Sequence, residues 1–271
     1  MKLIELSRSR DVRINYVPLP LQEQRKKEKK KDIRKEISMA IWNVKGMKDA
    51  DKMMDALTWM KNENRNLVIF TETHFDTYDY EQYRVIASKY GFKCFRIMRL
   101  MKRGDHGSGG VLIMVEEKMK CRLIRKSRFE DLIWVCIEWE SEKLFVGGAY
   151  LVSSSRARKA DELVEEIGRD VDRFCLEGET LLAGDGNCKI GQMESVTQDR
   201  TYVRKSVSNI VDVRGRRMMS LLNLSEMVVL NGIQAKEAQF TCKAARGEGI
   251  DDCGGELWVG GEDVGDRILE K

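Results

Sequence analysis

Leu181-Leu182-Ala183-Gly184-Asp185-Gly186-Asn187 decides how this 271-residue chain is read. A short apolar run ends in Gly-Asp-Gly-Asn, which sets a carboxylate and an amide side by side at the C-terminal edge of a strand. A hard cation such as Mg²⁺ takes one or two carboxylates and keeps several waters, and an amide beside it can orient a water or a phosphate. The same residues also suit an Asx turn that merely ends a strand, so the motif is weighed with its surroundings. Upstream, Leu67-Val68-Ile69-Phe70-Thr71 ends in Glu72 in the same manner, an apolar strand followed by an acid. Asn43 interrupts the strand-like Ile41-Trp42-Asn43-Val44, where a buried amide must find partners or cost about 1–3 kcal/mol. Tyr150 closes another apolar run; its phenol could donate to a phosphate oxygen or be an ordinary half-buried aromatic. His74 and His106 are the only imidazoles and both read as surface residues, while the phosphate loop Gly-x-x-x-x-Gly-Lys-Ser/Thr is absent.

Around these residues the chain alternates between strand-like and helical segments. Segments 37–44, 67–71, 110–115, 132–139, 144–150, 180–183 and 227–230 are short, rich in Val, Ile, Trp and Phe, and bounded by Gly, Asp, Ser or Asn. Helical periodicity marks 50–63, 80–90, 154–175 and 213–223. Between 92 and 150 it fades, so hairpins are expected there. Helices around a β-rich middle predict a layered α/β domain over residues 37–251. Residues 1–36 read as a basic flexible tail, holding both prolines and the run Arg25-Lys26-Lys27-Glu28-Lys29-Lys30-Lys31. Residues 252–271 read as an irregular glycine-rich tail in which only Leu257-Trp258-Val259 hints at burial.

The net charge of +4 is unevenly placed. Residues 1–36 carry 12 Lys/Arg against 6 Asp/Glu, and the remainder 36 against 38, so the body is not a broad basic surface of the kind that grips nucleic acid unaided. The basic run itself reads as a nuclear-localisation or phosphate-contacting segment, or as a solvated charge run. Seven scattered cysteines with no CxxC pair argue against structural zinc and suit a reducing compartment. No apolar run approaches the roughly 18 residues of a membrane span. A soluble, intracellular, monomeric protein is expected, nuclear if the basic run acts as a signal.

Taken in order, these pieces resemble the endonuclease/exonuclease/phosphatase superfamily. They are most similar to the apurinic-type endonuclease domain attached to the reverse transcriptases of LINE-like non-LTR retrotransposons. The likeness spans about residues 37–251. Trp42-Asn43-Val44 matches the family's opening strand, and Thr71-Glu72-Thr73-His74 the strand whose Glu binds the metal. Gly109-Gly110-Val111-Leu112-Ile113 looks like its glycine-led strand. Tyr150 matches the active-site tyrosine, without the proline that usually follows. Gly184-Asp185-Gly186-Asn187 matches the Gly-Asp-x-Asn motif, Phe240-Thr241 the late Phe-Thr pair, and Ile250-Asp251 the Ile-Asp-Tyr step. Family members end in a strand and a Ser-Asp-His motif, but no histidine follows Asp251 here. The ending reads as a truncation or a change of frame.

The resemblance implies a four-layered α/β sandwich, two mixed β-sheets flanked by helices, with the last strand missing or altered. It implies a Mg²⁺-dependent endonuclease (Mn²⁺ would also serve) acting on nucleic acid, DNA first, with activity weakened or lost. Glu72 and Asp251 would hold the metal, Asp185 activate a water and Asn187 align it. Asn43 and Tyr150 would hydrogen-bond around metal and phosphate, while Thr241, Arg25, Lys26 and Lys27 would meet nucleic acid. Two alternatives stay open: a relative acting on inositol phosphates or sphingolipid head groups, and a non-catalytic module that binds nucleic acid through its tail.

Overall fold

The computed structural model describes residues 12–14, 37–47, 49–98, 109–128, 131–139, 142–152, 157–206, 208–231 and 256–261. One sheet runs in the order β1 (Val12–Ile14), β2 (Ile37–Asn43), β3 (Leu67–Thr71), β5 (Val111–Glu116), β4 (Phe92–Ile97). The other runs β12 (Met227–Val229), β13 (Glu256–Gly261), β9 (Glu179–Asp185), β8 (Glu142–Tyr150), β7 (Leu132–Trp139), β6 (Lys120–Lys126). Each sheet is mixed, with β2 parallel to β3 in the first and β8 parallel to β9 in the second. The expected hairpins between residues 92 and 150 are the antiparallel pair β4–β5 and the meander β6–β7–β8. A separate small hairpin joins β10 (Ser195–Val196) to β11 (Thr201–Tyr202).

Period-two alternation sorts the strand residues into layers. On β3, Leu67 and Ile69 pack into the core between the sheets, while Val68 and Phe70 pack beneath α1 (Ala50–Asn62) and α2 (Thr77–Lys89). On β7, Ile133, Val135 and Ile137 face inward, while Leu132, Trp134 and Cys136 meet α3 (Ala157–Cys175) and α4 (Val213–Leu224). Central strands are thus buried on both faces, which is why they read as near-continuous apolar runs. The result is the four-layered α/β sandwich expected, helices outside and two sheets within. Aspartates set three helix starts: Asp49, Asp76 and Asp212 each accept from a backbone N–H of the first turn. At Asp76 a reciprocal capping box with Asp79 starts α2 at Thr77, three residues before the periodicity alone suggests.

Both segments read as tails contribute a strand. β1 pairs antiparallel with β2, Val12 opposite Met39. β13 lies antiparallel to both β9 and β12, so this sheet does contain a strand from residues 252–271. Backbone N–H and C=O groups along β9 need partners, and only long-range pairing identifies Glu256–Gly261 as their source. Local composition, dominated there by glycine and acid, could not.

On the outer face of the second sheet, a register shift between Leu123 and Arg125 accompanies an ionic cluster with α3. Arg125 Nη2 donates to Glu166 Oε1 at 2.5 Å and Nη1 lies 2.6 Å from Asp170 Oδ1; Ser127 Oγ donates to Glu166 Oε2 at 2.6 Å. Both carboxylates are buried. Elsewhere burial pushes the thiols of Cys94 and Cys188 up to about 12, so they act as small apolar groups. No helix among the described residues is long and apolar enough to cross a membrane.

Candidate active site

Strand register gathers the polar residues at one end of the sandwich. In the first sheet Asn43 pairs with Thr71, and Thr71 with Val111, so the ends of β2 and β3 meet the start of β5. In the second, Tyr150 pairs with Asp185 at the ends of parallel β8 and β9. Here the Asn43 amide reaches across from one sheet to the other. Asn43 Nδ2 donates to Glu72 Oε1 at 2.8 Å and to Asp185 Oδ2 at 2.7 Å, although Asp185 lies 142 residues further on. Its Oδ1 accepts from Lys45 N at 3.1 Å, so both donors and the acceptor of Asn43 are engaged.

Asp185 is held from its other side as well. Asn187 N donates to Asp185 Oδ1 at 3.0 Å, the Asx turn that the sequence suggested, while Asn187 Nδ2 donates to Leu151 O at 2.8 Å. Gly184 permits β8 and β9 to close at this point: its φ is +149°, and a Cβ there would lie 1.8 Å from Ala149 O. Tyr150 donates its backbone N–H to Asp131 O at 2.8 Å and is half-buried against the core between the sheets. Buried Asp131 also draws the Gly110 N–H, at 3.4 Å, tying the start of β5 to the start of β7.

Backbone conformation marks the same place. Six described non-glycine residues have positive φ, and four of them, Lys45, Glu72, His74 and Asn187, stand at this end of the sandwich. Such conformations cost of order 1–3 kcal/mol each and concentrate where a site over-determines them. His74 was read as a surface residue, yet its Nε2 lies 3.6 Å from Glu72 Oε2. Gly46, with φ +92°, makes room for it, since a Cβ there would come within 3.3 Å of His74 Nδ1. The only sequence signal for this was its position two residues after the acid that ends β3.

Burial pushes the Asp185 carboxyl up to about 6, and the neighbouring Glu72 adds to this, against the hydrogen bonds from Asn43 and Asn187 that favour the ionised form. In the metal-free protein, ¹³C NMR of the Asp185 side chain is expected to show a midpoint about 6. Asn43→Ala should move it higher, because the strongest interaction favouring the carboxylate is lost. A midpoint near the ordinary 3.8 would mean that water reaches the carboxylate freely.

Two carboxylates confined together around one amide are the electrostatic situation a divalent cation relieves. No three His, Cys, Asp or Glu side chains among the described residues converge as a metal cage. Oxygen donors, two at most from these carboxylates with water completing the shell, suit Mg²⁺ or Mn²⁺ and not structural zinc. The structure therefore brings together Asn43, Glu72, Tyr150, Asp185 and Asn187. Asp251, Thr241, Arg25, Lys26 and Lys27 lie outside the described residues, as does His106.

No protein-family model matches the chain, and no curated protein matches its sequence. Solved structures do match its shape. The endonuclease domain of a telomere-specific non-LTR retrotransposon is 14% identical, with a TM-score of 0.57 over 83% of this chain and 85% of that one. An AP endonuclease from Leishmania major is 14% identical, with a TM-score of 0.62 over 84% of this chain and 80% of its own. A 3′ phosphatase from Neisseria, bound to a product DNA hairpin, is 12% identical, with a TM-score of 0.58 over 83% and 86%. At such identities the likeness is one of architecture, and by that architecture the chain has the endonuclease/exonuclease/phosphatase fold.

Proposed function

We propose that this chain is a divalent-metal-dependent phosphodiester hydrolase acting on nucleic acid, an endonuclease of retroelement descent with weak activity. The observation that carries the reading is the Asn43 amide holding Glu72 and Asp185 together across the two sheets, at 2.8 and 2.7 Å. The neighbours in shape support it: an endonuclease domain, an AP endonuclease and a phosphatase bound to DNA.

Glu72 would hold Mg²⁺ or Mn²⁺, with Asp251 a second ligand. When bound, the ion neutralises phosphate charge and stabilises the leaving oxygen. Asp185 takes a proton from the attacking water, a task for which a carboxyl raised to about 6 is better matched than an ordinary one. Asn187, fixed through its backbone N–H on Asp185 and its amide on Leu151 O, aligns that water. With both its N–H donors committed, Asn43 sets the spacing of the two carboxylates. Tyr150, in register with Asp185, offers a phenol toward the phosphate. The resemblance implies a histidine donor to the phosphate, and none stands between Asp251 and Lys271. A site working without such a donor is slower by about 10²–10³, and weak activity is proposed for residues 1–271 on that ground.

The test is nicking of supercoiled plasmid with Mg²⁺ and with EDTA, for the chain and for Glu72→Ala and Asp185→Ala. Slow Mg²⁺-dependent nicking, reduced in each variant by about 10²-fold or more, is expected. A folded chain that never nicks defeats this reading and leaves a non-catalytic nucleic-acid-binding module. Nicking that survives in both variants moves the site elsewhere.

A further inference from the structure

We propose that Arg214 is a positioning residue of this site, fixing Asn187 and the loop that carries it in the geometry the chemistry needs. The proposal rests on the phosphodiesterase reading above. Arg214 is the second residue of α4, where a cation opposes the helix dipole. That unfavourable placement is offset by two carbonyl acceptors. Arg214 Nη1 donates to Val152 O at 2.8 Å and to Asn187 O at 2.9 Å. These carbonyls belong to different segments, one following β8 and Tyr150, the other following β9 and Asp185.

The same two segments are linked twice more. Leu151 N donates to Asp185 O at 2.8 Å, and Asn187 Nδ2 donates to Leu151 O at 2.8 Å. Asn187 has a left-handed backbone, φ +40°, so it stays in place only while its neighbours restrain it. The start of α4 supplies a rigid mount for that restraint. Asp212 Oδ2 accepts from Lys189 N at 3.0 Å, and Asp212 N donates to Lys189 O at 2.9 Å. Gly215 sits so near this loop that a Cβ would lie 2.0 Å from Lys189 O. The guanidinium thus connects a docked helix to the one residue whose amide is to align the attacking water. Arg217, on the next turn, instead pairs with Asp161 and Glu165 on α3 and provides a control.

The test compares the full chain with Arg214→Met, Arg214→Lys and Arg217→Met by hydrogen–deuterium exchange and by Mg²⁺-dependent plasmid nicking. Arg214→Met should speed exchange at 150–152 and 185–189 at least tenfold, with the rest of the domain unchanged. Its nicking kcat should fall tenfold or more while KM stays within twofold. Arg214→Lys, whose ammonium can still donate to carbonyls, should recover part of both losses, and Arg217→Met should behave as the parent chain. Unchanged exchange in Arg214→Met overturns the proposal, as does exchange that rises throughout the domain or, where the parent chain nicks, nicking equal to that of the parent. If exchange rises only in the two segments but even the parent chain never nicks, the positioning stands and the phosphodiesterase reading falls.

Discussion

Gly184→Ala is expected to destabilise the fold by about 4 kcal/mol or more. The residue lies in β9, directly opposite Ala149 of parallel β8, and its φ of +149° is one that side-chain-bearing residues rarely adopt. A methyl group would fall 1.8 Å from Ala149 O and 2.8 Å from the carbonyl carbon of the same residue. Both obstacles are backbone in a paired sheet, so no side chain can rotate aside. Backbone strain of about 1–3 kcal/mol and overpacking of similar size act together, for a loss of about 4 kcal/mol or more. Against a typical domain stability of about 5–15 kcal/mol, that removes much of the margin. Urea unfolding followed by circular dichroism checks this, and a midpoint equal to that of the parent chain would show that β8 and β9 can separate at no cost. The glycine of the Gly-Asp-Gly-Asn stretch therefore has a packing reason, distinct from the chemistry of the Asp beside it.

Arg125→Met should cost about 3–5 kcal/mol, because it leaves the buried carboxylates of Glu166 and Asp170 without their cation. Asp170 is already pushed up to about 6, by burial first and by Glu166 as well, against the opposing pull of Arg125. The sign of the pH dependence follows. A carboxyl whose folded pKa is raised favours the folded state at low pH and loses that contribution as pH rises from its ordinary 3.8 through about 6. Removing the guanidinium raises the Asp170 carboxyl further, so the variant should be most impaired at pH 8 and less so at pH 5. Denaturant titrations at the two pH values measure this. Equal losses at both would mean that the stem of Arg125, and not its charge, is what α3 needs. A double replacement of Glu166 and Asp170 by Gln and Asn should recover stability in the Arg125→Met background, since neutral amides carry no uncompensated charge.

How far the chain could be read without its structure differs by the range of the interaction. Alternation within β3 and β7 and the apolar periodicity of α1 and α4 depend on residues a few positions apart, so those elements and their layering were legible. So was the pairing of a strand end with an acid at Glu72 and Asp185, because chain direction alone exposes a side chain at a sheet edge. Local pattern could not say which distant segments meet; only the family resemblance anticipated that Asn43, Glu72, Tyr150, Asp185 and Asn187 share one site. Asn43 is joined to Asp185 by register and sheet packing over 142 residues, and β13 earns its place only through the unpaired edge of β9. His74 beside Glu72, the irregular β6 register near Arg125 and Arg214 on the Asn187 loop likewise depend on which segments fold against one another. Local pattern determined the pieces and their chemical types; tertiary packing alone decided which polar groups share a site, because hydrogen bonds act over about 3 Å regardless of separation along the chain.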